Sequence, residues 1–207
     1  MSRRIEGIGA GAAPRRGRPP LPSELQRRRL LEAAREALRR SDFGSVRVVD
    51  VVRAAGMSSR SFYEHFASKE DLLLELIHEA GRDLVARLES IFATTERPEE
   101  RVDRGLDAYL AAFAGTPLDF EKLGESASVR VQKVLREYVR EVGVVVGREL
   151  ERAYADGAIT RRPDPVAVEV LLLGLLGLAS RYVGEGRAEE LTALQPRLRR
   201  FLLHNWS

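Results

Sequence analysis

Residues 48–66 read Val48-Val49-Asp50-Val51-Val52-Arg53-Ala54-Ala55-Gly56-Met57-Ser58-Ser59-Arg60-Ser61-Phe62-Tyr63-Glu64-His65-Phe66. The β-branched run Val46–Val52 has the composition of a strand, yet Val48, Val51 and Val52 recur at helical spacing and Ala54-Ala55-Gly56 closes a helix. The pattern predicts a short helix over about Val46–Ala54 and a tight turn at Ala55-Gly56-Met57, where glycine takes a positive φ without steric cost. Ser58 then caps a third helix, about Ser59–Phe66. Two short helices joined by a glycine-containing turn have the dimensions of a helix-turn-helix. In the second of them Phe62 and Phe66 lie four apart and face inward, while Ser59, Arg60 and Tyr63 share the opposite face. That outer face suits a major groove. A guanidinium at Arg60 forks onto guanine O6 and N7 or onto a phosphate, and the Tyr63 hydroxyl donates to a phosphate oxygen. Ser58 and Ser61 can donate to backbone or base. Spacing alone is equally compatible with an ordinary short surface helix.

The wording of the sequence separates the two readings. Residues 27–77 resemble the N-terminal domain of the TetR family of bacterial transcriptional regulators. Three blocks carry the resemblance: Leu30-Leu31-Glu32-Ala33-Ala34, Asp50-Val51-Val52-Arg53-Ala54-Ala55-Gly56-Met57-Ser58, and Ser61-Phe62-Tyr63-Glu64-His65-Phe66-Ala67-Ser68-Lys69-Glu70-Asp71-Leu72. The resemblance implies that Tyr63 and Lys69 clamp phosphates, that Ser59, Arg60 and Ser61 face the groove, and that His65 packs at the helix junction. The chain departs from the family pattern at Asp42, at Val46-Arg47 and at Arg60, where many members carry Gly, two Thr and a small residue. Arg47 can replace a threonine–phosphate contact with a charge-assisted one.

Around this segment the chain reads as helix almost throughout. A first helix is expected from Ser23, its N-cap, to Arg40, with Leu30, Ala34, Ala37 and Leu38 as its inner stripe. Ser68 and Asp71 form an approximate capping box for a fourth helix that continues on Leu73, Ile77, Ala80, Leu84, Leu88 and Ile91 and breaks near Pro98. Further helices are expected near Glu99–Ala114, Leu118–Leu123, Ser126–Ala155, Pro165–Val183 and Ala188–Asn205, with Pro196 kinking or restarting the last. The fold class is all-α. A flexible basic arm (1–22) precedes a helix-turn-helix DNA-binding domain (23–70) and a helical regulatory and dimerising domain (71–207). In the arm, Arg16-Gly17-Arg18-Pro19 matches the core of an AT-hook, whose arginines enter the narrow minor groove of A·T-rich DNA.

Charge supports a polyanionic partner. Of 34 Lys/Arg and 31 Asp/Glu, the first 70 residues hold 15 and 8 and the remainder 19 and 23, a basic head on an acidic body. The absence of cysteine excludes disulfides and thiol chemistry and fits a reducing compartment. The three histidines, His65, His78 and His204, form no HExxH pattern, and Gly7-Ile8-Gly9-Ala10-Gly11 lacks both the preceding strand and the spacing of a dinucleotide loop. No enzymatic activity, catalytic residue, metal or cofactor is expected. The most apolar run, Val170–Ala179, is shorter than the ~20 residues of a membrane span, so a cytoplasmic protein without a membrane partner is expected.

The resemblance also implies a homodimer built from the last two helices. Leu172, Gly174, Leu175, Leu178, Leu198 and Leu202 are the candidate interface, and the apolar 165–183 helix is expected to be covered on several sides. It further implies a small-molecule pocket in the body. Tyr109, Phe113, Phe120, Tyr138, Val142 and Val146 are its candidate lining, for an inducer of unknown identity. The partners expected are double-stranded operator DNA, a second copy of the chain and that inducer. The DNA-binding set is Arg16, Arg18, Arg47, Ser58, Ser59, Arg60, Ser61, Tyr63 and Lys69. An architectural DNA binder without a specific operator is the alternative.

Overall fold

The computed structural model describes residues 21–116 and 128–206. Among these, every regular element is helical: α1 (Ser23–Arg40), α2 (Val48–Ala55), α3 (Ser59–His65), α4 (Lys69–Thr94), α5 (Pro98–Gly115), α6 (Val129–Ala155), α7 (Pro165–Gly184), two 3₁₀ turns (Ala188–Glu190 and Thr192–Leu194) and α8 (Gln195–Trp206). Arg16, Arg18 and Phe120, and the helix expected at 118–123, lie outside the described residues.

Local chemistry explains most boundaries. Ser58 accepts the Ser61 N–H, Ser68 the Asp71 N–H and Asp164 the Val166 N–H, so α3, α4 and α7 each start on a side-chain cap. Ser23 is not a cap; Pro22 occupies that position, and Ser23 is already helical. Val46 and Arg47 lie before α2 rather than in it, with Arg47 as its extended N-cap. Gly56 ends α2 in the left-handed region (φ 67°), and the Met57 N–H reaches back to the Val52 carbonyl at 2.8 Å. The final helix is shorter than expected. Two 3₁₀ turns precede it, and Pro196 stands in its first turn, where a missing N–H costs nothing.

The 26-residue α4 threads two hydrophobic clusters. The head cluster joins Leu30, Leu31, Ala34, Val51, Phe62 and Phe66 to Leu72–Leu74, Leu76 and Ile77 of α4, and admits Val131 of α6. The body cluster joins Leu84, Leu88 and Ile91 of α4 to Leu110 and Phe113 of α5, Val142 and Val145 of α6, and Leu172 and Leu175 of α7. Between them Gly81 is buried and Ala80 exposed, the reverse of the expected stripe. A Cβ at Gly81 would stand 2.8 Å from the Tyr138 ring, so glycine there lets α4 and α6 approach.

The α7 helix departs furthest from expectation. Val168, Leu172, Leu175 and Ala179 pack into the body, but Val166 and Val170 are 67% and 63% exposed and Leu173 is exposed beside them. The helix has 20 residues, so it also reaches the length of a membrane span, which Val170–Ala179 alone did not. Its inner side is nonetheless part of the body core.

Candidate functional site

The helix-turn-helix is held from behind and open in front. Phe62 is fully buried and its ring meets Phe66 at 5.6 Å and Tyr63 edge-on at 5.2 Å. The inner side of α3 is thereby locked, and its outer side projects Ser59, Arg60 and Tyr63 into solvent. Tyr63 is 59% exposed, an uncommon position for a large ring without a partner surface. Ser61 is half-buried; its hydroxyl lies 3.0 Å from that of Ser58, within the cap. Both serines therefore shape the start of α3 and have less freedom to reach a base than Ser59.

Each exposed arginine of this face has an internal carboxylate. Arg60 Nε donates to Glu64 Oε1 at 3.2 Å, one turn along the helix. Arg47 grips Asp50 with two bonds of 2.8 and 3.1 Å, and the hydrogen bond from Arg47 holds the Asp50 carboxyl below its ordinary range. These are solvent-screened pairs, cheap to exchange for phosphate. Asp42, the departure from the family pattern, accepts both the N–H and the hydroxyl of Ser45 and is held ionised by them. It closes the α1–α2 turn.

Lys69, expected to clamp a phosphate, is directed inward. Its ammonium donates to the carbonyls of Phe43 (2.7 Å), Gly44 (3.2 Å) and Val46 (2.8 Å) and lies 4.4 Å from the centre of the Phe43 ring. With all three N–H donors engaged, it ties the start of α4 to the turn before α2. His65 packs at the helix junction as expected, 3.3 Å from Gln26 Oε1.

The head is joined to the body by contacts that the sequence did not announce. Arg130 of α6 pairs with Asp71 at 2.8 Å, Ser128 bonds Glu70, and Arg27 of α1 pairs with Glu75 at 2.9 Å. These partners are 48 to 59 residues apart, beyond the reach of any local pattern.

The sequence of this head matches the family profile "Bacterial regulatory proteins, tetR family" over residues 30–76. Residues 30–76 are a TetR-family N-terminal domain. Similar proteins extend beyond the head. The HTH-type transcriptional regulator EthR of Mycolicibacterium smegmatis is 25% identical over 189 residues, covering 86% of this chain and 82% of EthR. The HTH-type transcriptional repressor KstR2 of Mycobacterium tuberculosis is 36% identical over 88 residues, 42% of each chain. The fold over most of the chain is shared with the regulator FadR from Bacillus subtilis, solved with stearoyl-CoA: TM-score 0.73 at 18% identity, covering 85% of this chain and 97% of that one.

Within the body a cavity of about 110 Å³ opens among α4, α5, α6, α7 and α8. Of the candidate residues, Tyr109 and Val146 border it. Phe113 and Val142 do not; they are closed into the core. Tyr138 packs instead against Gly81. Burial raises the Tyr109 and Tyr138 phenols well above their ordinary range, so both stay neutral. Sequence reasoning missed the charged lining residues, Arg101 and Glu149. Arg101 is 1% exposed, and its Nε donates to Glu149 Oε1 at 2.5 Å. Burial pushes the Glu149 carboxyl up, and the Arg101 guanidinium offsets part of that rise.

Proposed function

We propose that this TetR-family regulator is a ligand-responsive repressor that binds a roughly palindromic operator as a homodimer and acts in the cytoplasm. The carrying observation is the outer face of α3. Ser59, Arg60 and Tyr63 stand exposed on a helix whose inner side is fixed by a fully buried Phe62. Arg47, at the N-cap of α2, adds a phosphate contact to the same reading head. The division proposed is an arm at 1–22, with Arg16 and Arg18 as minor-groove contacts, a head at 23–70 and a body at 71–207, with α4 running from one to the other.

A second copy supplies cover for α7. Val166, Val170 and Leu173 form an exposed apolar strip, and a side chain at Gly174 or Gly177 would meet nothing within 4 Å. An open apolar strip with small residues suits close helix–helix approach. Of the residues expected at this interface, Gly174 lies on the strip; Leu172 and Leu175 are inside the subunit, and Leu178, Leu198 and Leu202 are half-buried. FadR holds stearoyl-CoA within the same fold, which supports a ligand role for the body cavity. A ligand that binds one arrangement of the two heads better than the other shifts the dimer away from the operator-matched spacing.

DNase footprinting on DNA flanking the gene, with excess nonspecific competitor, tests this reading. A discrete, roughly symmetric protected patch is expected. Tyr63→Phe should weaken protection on every sequence; Arg60→Ala should change preference at one base position by about 1–3 kcal/mol. Uniform coverage that vanishes with salt would make the protein an architectural binder instead.

A further inference from the structure

The turn between α1 and α2 is pinned from two sides. Locally, Asp42 accepts the Ser45 N–H at 3.0 Å and the Ser45 hydroxyl at 2.9 Å. From across the head, Lys69 places its ammonium against the Phe43 ring and among the carbonyls of Phe43, Gly44 and Val46. An ammonium has three N–H donors and no acceptor, so three carbonyls converging on one nitrogen use its whole capacity. Hydrogen bonds from a charged donor are stronger than neutral ones, and the ring adds a further attraction. To reach a DNA phosphate, Lys69 would have to give up all of these partners.

The third carbonyl leads directly to a second cation. Val46 is buried, and the next residue is Arg47, the N-cap of α2. The Arg47 carbonyl accepts the Asp50 and Val51 N–H groups and so starts that helix. The carbonyl that Lys69 holds and the Arg47 N–H belong to one planar peptide unit, so fixing the first sets the plane from which Arg47 projects. The Arg47 side chain is largely exposed, and its one ion-pair partner, Asp50, is screened by solvent.

We propose, resting on the reading of the head as DNA-binding, that Lys69 is a positioning residue and that Arg47 is the phosphate contact at this edge of the head. Lys69 holds the peptide before Arg47, and its own charge does not meet the DNA. The two roles differ measurably, because each phosphate contact releases counterions and adds about 0.9 to the slope of log affinity against log salt.

The test measures binding of the full chain to a mixed-sequence DNA duplex by fluorescence anisotropy, between about 50 and 200 mM salt. Wild type, Arg47→Ala, Lys69→Met and the double variant form a cycle. At about 0.1 M salt Arg47→Ala should weaken binding roughly five- to tenfold, and it should lower the slope by about 0.9. Lys69→Met should weaken binding by no more than that, and should change neither affinity nor slope once Arg47 is alanine. Lys69→Arg keeps the charge but spreads its donors over a planar fork, which cannot serve three carbonyls from one point, so it should behave as Lys69→Met does. A slope that falls in the double variant by about twice the Arg47→Ala change makes Lys69 a clamp and overturns the proposal. Wild-type binding by Lys69→Arg overturns it too, as does an equal fold-loss from Lys69→Met in both backgrounds, which would be a general loosening of the head. A second measurement needs no variant. The chain has three lysines, so isotopically labelled lysine gives few ammonium signals. The Lys69 ammonium should exchange with water more slowly than that of the exposed Lys133, with and without the duplex. Equal rates in the absence of DNA overturn the proposal. Wild-type protein that binds no duplex at any salt defeats the DNA-binding reading; duplex binding that Lys69→Met leaves unchanged defeats the positioning role alone.

Discussion

The two clusters strung on α4 are built to different standards. The head cluster closes completely: Leu30, Val51 and Phe62 have no exposed surface. Its charged groups form its rim, where Lys69 fixes a turn and Arg27 covers Phe66. The body cluster is of similar composition, yet it leaves a cavity and encloses a guanidinium with an unsatisfied N–H. A reading head must hold a few side chains in one geometry, and dense packing does that. Unfilled space and an unmet polar demand both reduce stability.

The largest expected effect contrasts the two interiors directly. Phe62→Ala should cost about 3–5 kcal/mol, because the surrounding head has no slack with which to collapse. Leu106→Ala, at the wall of the body cavity, should cost only about 2–3 kcal/mol, since one side of that leucine already lacks partners. Urea denaturation followed by circular dichroism measures both. Equal losses would break the contrast. The next effect is electrostatic. Glu149→Ala leaves Arg101 buried with no hydrogen-bonded counter-ion, and should cost about 3 kcal/mol. That is the low end for a severed buried pair, because burial already penalises the carboxylate being removed. If the same protocol gives under 1 kcal/mol, the ion pair does not organise this part of the body.

This difference also governs what was legible in the sequence. The head was readable almost residue by residue because its determinants are local: caps at Ser58 and Ser68, the αL glycine Gly56, and the four-residue spacing of Phe62 and Phe66. Lys69 was misplaced because its three carbonyl partners lie 23 to 26 residues upstream, in a turn whose path no periodicity encodes. In the body the helices were legible and the cavity was not. Phe113 and Val142 fill space while Leu106 and Leu171 border the cavity; whether an apolar side chain faces a void depends on how five helices cross. Arg101 looked like any surface arginine on an acidic helix. Its burial follows from Glu149, 48 residues away. Likewise the apolar composition of α7 implied cover on several sides, but one chain covers only the inner side.

Gly81, at the boundary between the clusters, offers a finer test. Gly81→Ala gains about 1 kcal/mol of helix propensity and places a methyl 2.8 Å from the Tyr138 ring, an overlap costing about 1–3 kcal/mol. A net loss near 1 kcal/mol is expected. Tyr138→Ala in the same chain should turn the alanine substitution into a gain, if α4 and α6 meet at this point. Thermal melts of the four proteins in the cycle measure the coupling. Additive effects would show that the close approach does not constrain the helices.

The smallest effect belongs to the latch between head and body, and its pH dependence has a definite sign. The Ser68 hydroxyl and the Arg130 guanidinium hold the Asp71 carboxyl below the ordinary aspartate value of 3.8. A carboxyl that ionises more readily when folded adds stability that is complete above its unfolded value and disappears as the pH falls through its folded one. Asp71 is partly exposed, so solvent screens the contribution and the shift in melting temperature should be modest. Asp71→Asn should therefore lower the melting temperature slightly at neutral pH and flatten its decline below about pH 4, where the wild-type carboxylate is being protonated. Arg130→Gln should flatten the same arm less, because Ser68 remains to hold the charge. An acid limb unchanged in Asp71→Asn would mean that the apolar contacts of Val131, Val134 and Leu135 join α6 to the head without help from the ion pair.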